Sequence, residues 1–129
     1  MVMVKNQQNF GFTLIELMVV LAIIATLLSL TVPRYFHSID KSKEAALRSD
    51  LNGMRDAIDK YYGDLGKYPL SLDDLVAKKY IRNIPPDPIT GSDKTWILIP
   101  PDDPEKSGVY DVKSGAEGAA RDGTLYSEW

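Results

Sequence analysis

The sequence contains no cysteine, which excludes a disulfide framework, a thiolate metal cluster and a thiol nucleophile. Its single histidine, His37, leaves little room for imidazole chemistry, so we do not expect an enzyme. Basic residues are not in excess either, because 15 Lys and Arg stand against 18 Asp and Glu and give a net charge of −3. A nucleic-acid partner is therefore not expected. With 129 residues, the chain has room for one compact domain.

What the chain does have is one long apolar run near its N-terminus. Residues 17–32 carry no charge, and residues 12–15 extend the run upstream past Glu16. A helix over residues 12–32 is about 32 Å long at about 1.5 Å per residue, which matches a hydrocarbon core of about 30 Å. The run therefore predicts a single membrane-spanning helix, closed by Pro33.

Two ordinary interpretations of this run are weaker. A secretory signal peptide would end in a small-residue cleavage site, but the segment from Pro33 to His37 contains no A-x-A pattern. A simple membrane anchor leaves Glu16 unexplained, because a lone carboxylate in an apolar segment costs on the order of several kcal/mol unless it is paired or functional.

The residues at the start of the run narrow the choice. A short polar stretch with one base leads to Gly11, which is followed by Phe-Thr-Leu-Ile-Glu at residues 12–16 and then by the apolar run. This arrangement resembles the class III signal of the type IV pilin and type II secretion pseudopilin superfamily. The resemblance implies that residues 1–11 are a leader peptide, and that a prepilin peptidase cleaves between Gly11 and Phe12 and methylates the amine of Phe12.

The same resemblance implies where the protein lies. Residues 12–33 stay on the mature protein as a transmembrane and assembly helix, and residues 34–129 form a pilin-like head. The protein would cross the bacterial inner membrane once and carry its C-terminal head in the periplasm.

Glu16 is the unusual residue of the apolar helix. After cleavage, the positive amine of Phe12 would lie four residues before Glu16 on the same helical face, so a pair within the chain is possible. If helices bundle into a filament, Glu16 of one subunit can instead meet the Phe12 amine of the next. Such a buried pair fixes axial register more than it adds stability. The resemblance assigns this position the assembly role.

Beyond Pro33, the pattern of residues 34–62 predicts an amphipathic continuation of the helix, with a kink near the proline. Its predicted core stripe is formed by Leu47, Leu51, Met54, Ile58 and Tyr61. The opposite face carries charges of both signs, which predicts a solvated surface rather than a ligand site: Arg48, Asp50, Arg55, Asp56, Asp59 and Lys60.

The remainder of the chain is rich in proline and glycine, so regular structure should be short. Ser71 and Asp74 resemble a capping box that opens a helix through Lys79. Residues 96–99 and 109–112 read as strands of a small antiparallel sheet. The fold class is therefore α+β, with a long kinked N-terminal helix packed on a small sheet. The predicted core comprises Leu47, Leu51, Ile58, Leu72, Leu75, Ile97 and Ile99.

Three segments of the head sharpen the resemblance: Tyr68-Pro69, residues 84–91 and residues 110–115. They are similar to the protein G family of type II secretion major pseudopilins. This implies a structural subunit of a periplasmic pseudopilus, whose partners are other copies of itself, minor pseudopilins, the prepilin peptidase and the inner-membrane secretion platform.

Two alternatives are open. The first is a major or minor pilin of a surface type IV pilus, although such pilins typically close a C-terminal loop with a disulfide, which this chain cannot form. The second is a membrane-anchored enzyme or binding module. Its paired carboxylates, Asp102-Asp103, lie in a proline-rich turn that favours solvated side chains.

Charge is concentrated near the C-terminus, where residues 102–129 hold seven acidic and three basic residues. Carboxylate-rich, glycine-rich loops suit calcium, which takes oxygen ligands. The protein G resemblance implies a structural calcium site here, with Ser114, Glu117 and Asp122 as ligands. The match departs from the family pattern, since Glu117 stands where Asp is usual and Gly123 follows Asp122. The alternative is a solvated acidic loop pinned by aromatic packing.

Overall fold

The computed structural model describes residues 11–129, so most of the predicted leader lies outside the described residues. The described chain divides into two compact units, with the division after Ser38. Two helices, two strands and a final 3-10 turn follow one another, which confirms the α+β class. They are α1 (Leu14–Leu65), α2 (Leu72–Ala77), β1 (Ile97–Ile99), β2 (Asp111–Lys113) and η1 (Tyr126–Glu128).

Helix α1 begins at Leu14 rather than at the predicted Phe12, and it continues through Pro33. Its first part has the length and composition to cross a membrane, with a mean hydropathy of 2.5 over its most apolar 18-residue window. None of that window is buried within the chain.

The hydroxyl groups of the apolar part are satisfied inside the helix. The side chains of Thr26, Ser29 and Thr31 each donate a hydrogen bond of 2.8 Å to the carbonyl oxygen four residues earlier. A hydrocarbon environment offers these groups no water, so internal pairing lowers the cost of placing them there.

In the second unit, α1 supplies the largest part of the core. The predicted stripe is confirmed, and Ala57 belongs to it as well; its buried members are Leu47, Leu51, Met54, Ala57, Ile58 and Tyr61. The helix runs past the predicted end at Tyr62 and stops at Leu65. Gly66 follows with a φ of +70° and donates its N–H to the Tyr62 carbonyl at 2.8 Å, which is how glycine commonly closes a helix.

Helix α2 is shorter than predicted and its capping differs. Ser71 occupies the N-cap position but its side chain makes no capping hydrogen bond. The Asp74 carboxylate instead accepts the N–H of Leu70 at 2.8 Å. The helix ends at Ala77 because Lys79 has a φ of 65°, which an α-helix cannot contain.

The two strands pair antiparallel, as predicted, with Leu98 opposite Val112 in the register. Their bounds are shifted: Trp96 lies outside β1, and β2 begins only at Asp111. Backbone hydrogen bonding nevertheless continues beyond the two strands, because the N–H of Tyr110 donates to the carbonyl oxygen of Ile99 at 2.8 Å.

The predicted burial of Ile97 and Ile99 was wrong. Ile97 is 46% exposed and Ile99 is half-buried, whereas the neighbouring Trp96 is buried. Among residues 11–129, β1 pairs with β2 alone, and the side chains of both Ile97 and Leu98 remain exposed. The indole of Trp96 fills the core and donates its Nε1–H to the Pro85 carbonyl at 2.8 Å.

Candidate assembly site and C-terminal loop

Glu16 is part of a capping box that the sequence analysis missed. The Thr13 hydroxyl oxygen accepts the N–H of Glu16 at 3.2 Å, and the Glu16 carboxylate accepts the N–H of Thr13 at 3.4 Å. These reciprocal bonds satisfy two backbone donors at the start of α1. The T-x-x-E spacing of Thr13 and Glu16 was the signal available in the sequence.

In the chain that still carries residues 1–11, Phe12 lies just before α1. The shared helical face of Phe12 and Glu16 is a prediction for the chain after cleavage, and it stays a prediction. The Glu16 carboxylate is exposed, and its bond to Thr13 is long, which leaves its oxygens free to accept a stronger donor.

The predicted cleavage position lies in chain without regular structure. Gly11, Phe12 and Thr13 are all outside α1 and all exposed, and the Phe12 ring is 82% exposed. A peptidase needs an accessible backbone, and Gly11 and Phe12 are both accessible.

The apolar side chains of α1 form a continuous uncovered surface. Every residue from 12 to 32 is exposed, including large aliphatic side chains on all sides of the helix, such as Ile15 at 71% and Leu30 at 68%. An exposed apolar area of this extent marks a membrane or protein contact. Lipid and the helices of other copies are the two environments that could cover it.

At the other end of the chain, residues 114–129 fold into a compact segment that we call the C-terminal loop. A β-bridge joins Ala119 to Leu125, and the N–H of Ala120 donates to the Thr124 carbonyl at 2.7 Å. Two residues of this loop, Ala116 and Ala120, are buried. The loop is thus a defined structure rather than a mobile acidic tail.

Three residues of one face of α1 hold this loop: Glu44, Arg48 and Arg55, whose spacings of four and seven bring them to one side. The Glu44 carboxylate accepts the N–H of Arg121 at 2.9 Å and the hydroxyl of Tyr126 at 3.2 Å. Burial, together with this hydrogen bond, raises the pKa of Tyr126, so its phenol stays a donor at neutral pH.

Both arginines bind the C-terminal part of the chain. The Arg48 guanidinium lies 3.8 Å from the Asp122 carboxylate and 3.8 Å above the Trp129 ring. Arg55 donates to Asp111 at 2.8 Å, to the carbonyl of the residue after Asp111 at 3.0 Å, and to the Trp129 carbonyl. The prediction of a solvated face was wrong for Arg55, whose side chain is part-buried, and it holds for Arg48, whose side chain is 56% exposed. Both arginines nevertheless have partners more than 50 residues away in the sequence.

Ser114, the first predicted calcium ligand, is fully buried and already paired. Its hydroxyl donates to the Asp87 carboxylate at 2.5 Å and accepts the N–H of Ala116 at 3.1 Å. Asp87 is also fully buried, and its other oxygen accepts the N–H of Ile89 at 2.8 Å. The pair ties the turn after Asp87 to the start of the C-terminal loop.

The other two predicted ligands are Glu117, which is exposed, and Asp122, whose carboxylate is occupied. One Asp122 oxygen accepts both the N–H and the hydroxyl of Thr124, at 3.0 and 2.6 Å, and the other faces Arg48. Within residues 11–129, no three His, Asp or Glu side chains are grouped so that they could hold a metal ion. The predicted ligand set does not fit a calcium site.

Comparison with known proteins connects these features. A family model described as "Prokaryotic N-terminal methylation motif" matches residues 6–32. The chain is 33% identical to "Type II secretion system core protein G" of Escherichia coli (strain K12), over 92% of this chain and 86% of that protein. It is 36% identical to the protein of the same name from Aeromonas hydrophila, over 79% of this chain and 71% of that protein.

A further relative carries a different name. "Fimbrial protein EcpC" of Eikenella corrodens is 39% identical, but over only 52% of this chain and 43% of that protein. No solved structure is significantly similar to the chain. An N-terminal methylation motif, an apolar spanning helix and similarity that extends over most of the head therefore agree, and the chain belongs to the type II secretion system core protein G family.

Proposed function

We propose that this chain is the major structural subunit of a periplasmic pseudopilus in type II protein secretion. In this role it is processed by a prepilin peptidase, which cleaves between Gly11 and Phe12 and methylates the Phe12 amine. It then polymerises through α1. Before assembly, the apolar part of α1 anchors the subunit in the membrane, and the C-terminal head of the subunit lies in the periplasm.

The observation that carries this proposal is the apolar part of α1. It is long enough to span a bilayer, its described residues 12–32 are all exposed, and Glu16 lies near its start. Such a surface is stable in two places, which are the membrane and the centre of a helical bundle. A subunit that moves from the first to the second needs this kind of helix.

In that bundle, Glu16 sets the axial register between neighbouring subunits. Removing a carboxylate from water costs on the order of several kcal/mol unless a partner charge compensates. Within the free chain the Thr13 N–H gives only a long hydrogen bond of 3.4 Å. Cleavage before Phe12 creates a cation close to this position, and the Phe12 amine of a neighbouring subunit can then neutralise Glu16. The pair forms at one axial offset between subunits, which fixes their stagger.

The partners follow from this role. They are other copies of the chain along the filament, minor pseudopilins, the prepilin peptidase at residues 11 and 12, and the inner-membrane secretion platform. The alternative, a pilin of a surface type IV pilus, is less favoured, because the fimbrial relative matches only about half of this chain.

Filament formation tests the proposal. The chain is produced together with the prepilin peptidase and secretion platform, and filaments are counted by electron microscopy for the wild type and for Glu16→Ala. We expect at least about tenfold fewer filaments from the variant, since tenfold corresponds to about 1.4 kcal/mol.

Asp59→Ala is the matched control, because it removes one carboxylate from an exposed position of the same helix. It should leave the filament yield unchanged. A normal yield from Glu16→Ala would contradict the assembly role of Glu16, and a wild-type chain that forms no filaments would contradict the function itself.

A further inference from the structure

We propose that Arg48 and Arg55 take the structural role that a divalent cation would otherwise have in the C-terminal loop, so that the fold of the head does not depend on calcium. This inference goes beyond the proposed function, because it concerns a single subunit whether or not it is assembled. It rests on how the acidic groups of the loop and of β2 are already neutralised.

Negative charge near the C-terminus is balanced by helix α1. Residues 102–129 carry seven acidic and three basic residues, so the segment needs positive charge from elsewhere. Helix α1 delivers it at two points, through Arg48 to Asp122 and through Arg55 to Asp111. Each guanidinium is a permanent cation, so it already compensates part of the negative charge of the carboxylate that it faces.

Arg48 belongs to a closed ring of four side chains. Its guanidinium faces the Asp122 carboxylate, which accepts the Thr124 hydroxyl at 2.6 Å. The Thr124 oxygen in turn accepts the indole N–H of Trp129 at 2.8 Å, and the Trp129 ring lies 3.8 Å beneath the Arg48 guanidinium. Hydrogen bonds therefore link Asp122, Thr124 and Trp129, and the Arg48 guanidinium places a positive charge beside them.

Arg55 is the second arginine that contacts the C-terminal loop. It joins the last residue of the described chain, Trp129, to both Asp111 and the backbone of β2. The Arg55 and Asp111 side chains are 32% and 28% exposed, so this pair is less screened by solvent than the Arg48 pair, whose side chains are both 56% exposed. We therefore expect Arg55 to stabilise the head more than Arg48 does.

The oxygen atoms that calcium would need already have other partners. A calcium ion takes about six to eight oxygen ligands at about 2.3–2.6 Å. The Ser114 hydroxyl is committed to Asp87 and Ala116, and both oxygens of Asp122 are engaged. A cation at this loop would have to break these contacts before it could form its own.

The experiment uses the full chain purified in detergent. Both tryptophans, Trp96 and Trp129, lie in the head, so tryptophan fluorescence during heating reports the unfolding of the head. Thermal midpoints are measured in calcium chloride and in excess EGTA for the wild type, Arg48→Gln, Arg55→Gln and the control Arg82→Gln. Arg82 is an exposed arginine of the same unit, so its replacement removes the same charge.

We expect the wild-type midpoint to be the same in calcium and in EGTA. Arg55→Gln should lower the midpoint by about 5 °C or more and Arg48→Gln by less, with no recovery in calcium, while Arg82→Gln should match the wild type. A wild-type midpoint that falls in EGTA and is restored by calcium would overturn the proposal. The proposal is equally overturned if Arg48→Gln and Arg55→Gln both unfold at the same temperature as Arg82→Gln. The wild-type comparison decides even if Arg55→Gln fails to fold.

Discussion

The Ser114 hydroxyl donates a hydrogen bond of 2.5 Å to the Asp87 carboxylate, and neither side chain has any exposed surface. This bond joins two segments that lie 27 residues apart in the sequence. A carboxylate without access to water must be satisfied by protein donors, and Asp87 receives one from Ser114 and one from the Ile89 backbone. Ser114 therefore acts as a buried partner of Asp87.

Replacing this hydroxyl should destabilise the head. Ser114→Ala leaves one Asp87 oxygen and the Ala116 N–H without a partner, and a lost hydrogen bond to a charged group costs about 1.5–3 kcal/mol. Denaturant unfolding followed by tryptophan fluorescence measures the change in free energy of unfolding. Ser107→Ala, at an exposed serine, is the control and should be neutral. Equal stability of the two variants would contradict the structural role of Ser114.

Two glycines should respond to alanine in opposite directions. A Cβ atom at Gly115 would lie 2.1 Å from the Thr95 carbonyl oxygen, so the two backbone segments would have to separate, at a cost of about 1–3 kcal/mol. A Cβ atom at Gly53 would meet nothing within 4 Å, and alanine in a helix interior is more favourable than glycine by about 0.8–1 kcal/mol. Unfolding free energies should therefore fall for Gly115→Ala and rise for Gly53→Ala. A stable Gly115→Ala variant would show that this close approach is not required.

Asp50 should weaken the head at neutral pH. Partial burial, reinforced by the nearby Asp87 carboxylate, raises the pKa of Asp50. A carboxyl group whose pKa is higher in the folded than in the unfolded protein costs stability once the pH exceeds that folded value, and the cost disappears as the pH falls through it. We expect Asp50→Asn to raise the thermal midpoint at pH 7, by an amount equivalent to less than about 1 kcal/mol.

The control for this prediction lies on the same helix. Asp56 is exposed and pairs with Lys60 at 3.0 Å, so Asp56→Asn should leave the midpoint unchanged or lower it slightly. If Asp50→Asn unfolds at a lower temperature than the wild type at pH 7, the unfavourable placement of the Asp50 charge is disproved.

The ionised Asp122 carboxylate should instead stabilise the head at neutral pH. The hydrogen bond from the Thr124 hydroxyl, together with that from the Thr124 N–H and the nearby Arg48, lowers the pKa of Asp122. The stability that Asp122 contributes is then fully present above its pKa in the unfolded protein, about 3.9. It is lost as the pH falls through the lower pKa of the folded protein. The midpoints of the wild type and Asp122→Asn should differ at pH 6 and converge in strong acid. Parallel curves over the whole acid range would contradict this coupling.

Much of the fold could be predicted from local pattern. The apolar run and the spacing of Leu47, Leu51, Met54, Ile58 and Tyr61 identify α1 and its buried side, because both depend only on helical periodicity. Thr13 could have been identified as well, since the capping box needs no information beyond its four-residue spacing to Glu16.

The C-terminal half could not be predicted in the same way. Arg48 and Arg55 look like ordinary surface charges, because their partners lie far along the chain and no local rule connects them. The placement of Trp96 in the core, rather than Ile97 and Ile99, depends on tertiary contacts, since its indole packs in the core cluster and donates to the Pro85 carbonyl. Similarly, Ser114 suits a ligand by residue type alone, and only the folded chain shows that Asp87 already occupies it.

Polymerisation through α1 requires processing before Phe12, because the proposed partner of Glu16 is the free amine that cleavage creates. The decisive measurement is the intact mass of the chain isolated from the membranes of cells that contain a prepilin peptidase. We predict a mature chain that begins at Phe12 and carries a single added methyl group on its amine. A chain that keeps residues 1–11, or that begins at any residue other than Phe12, would contradict the account.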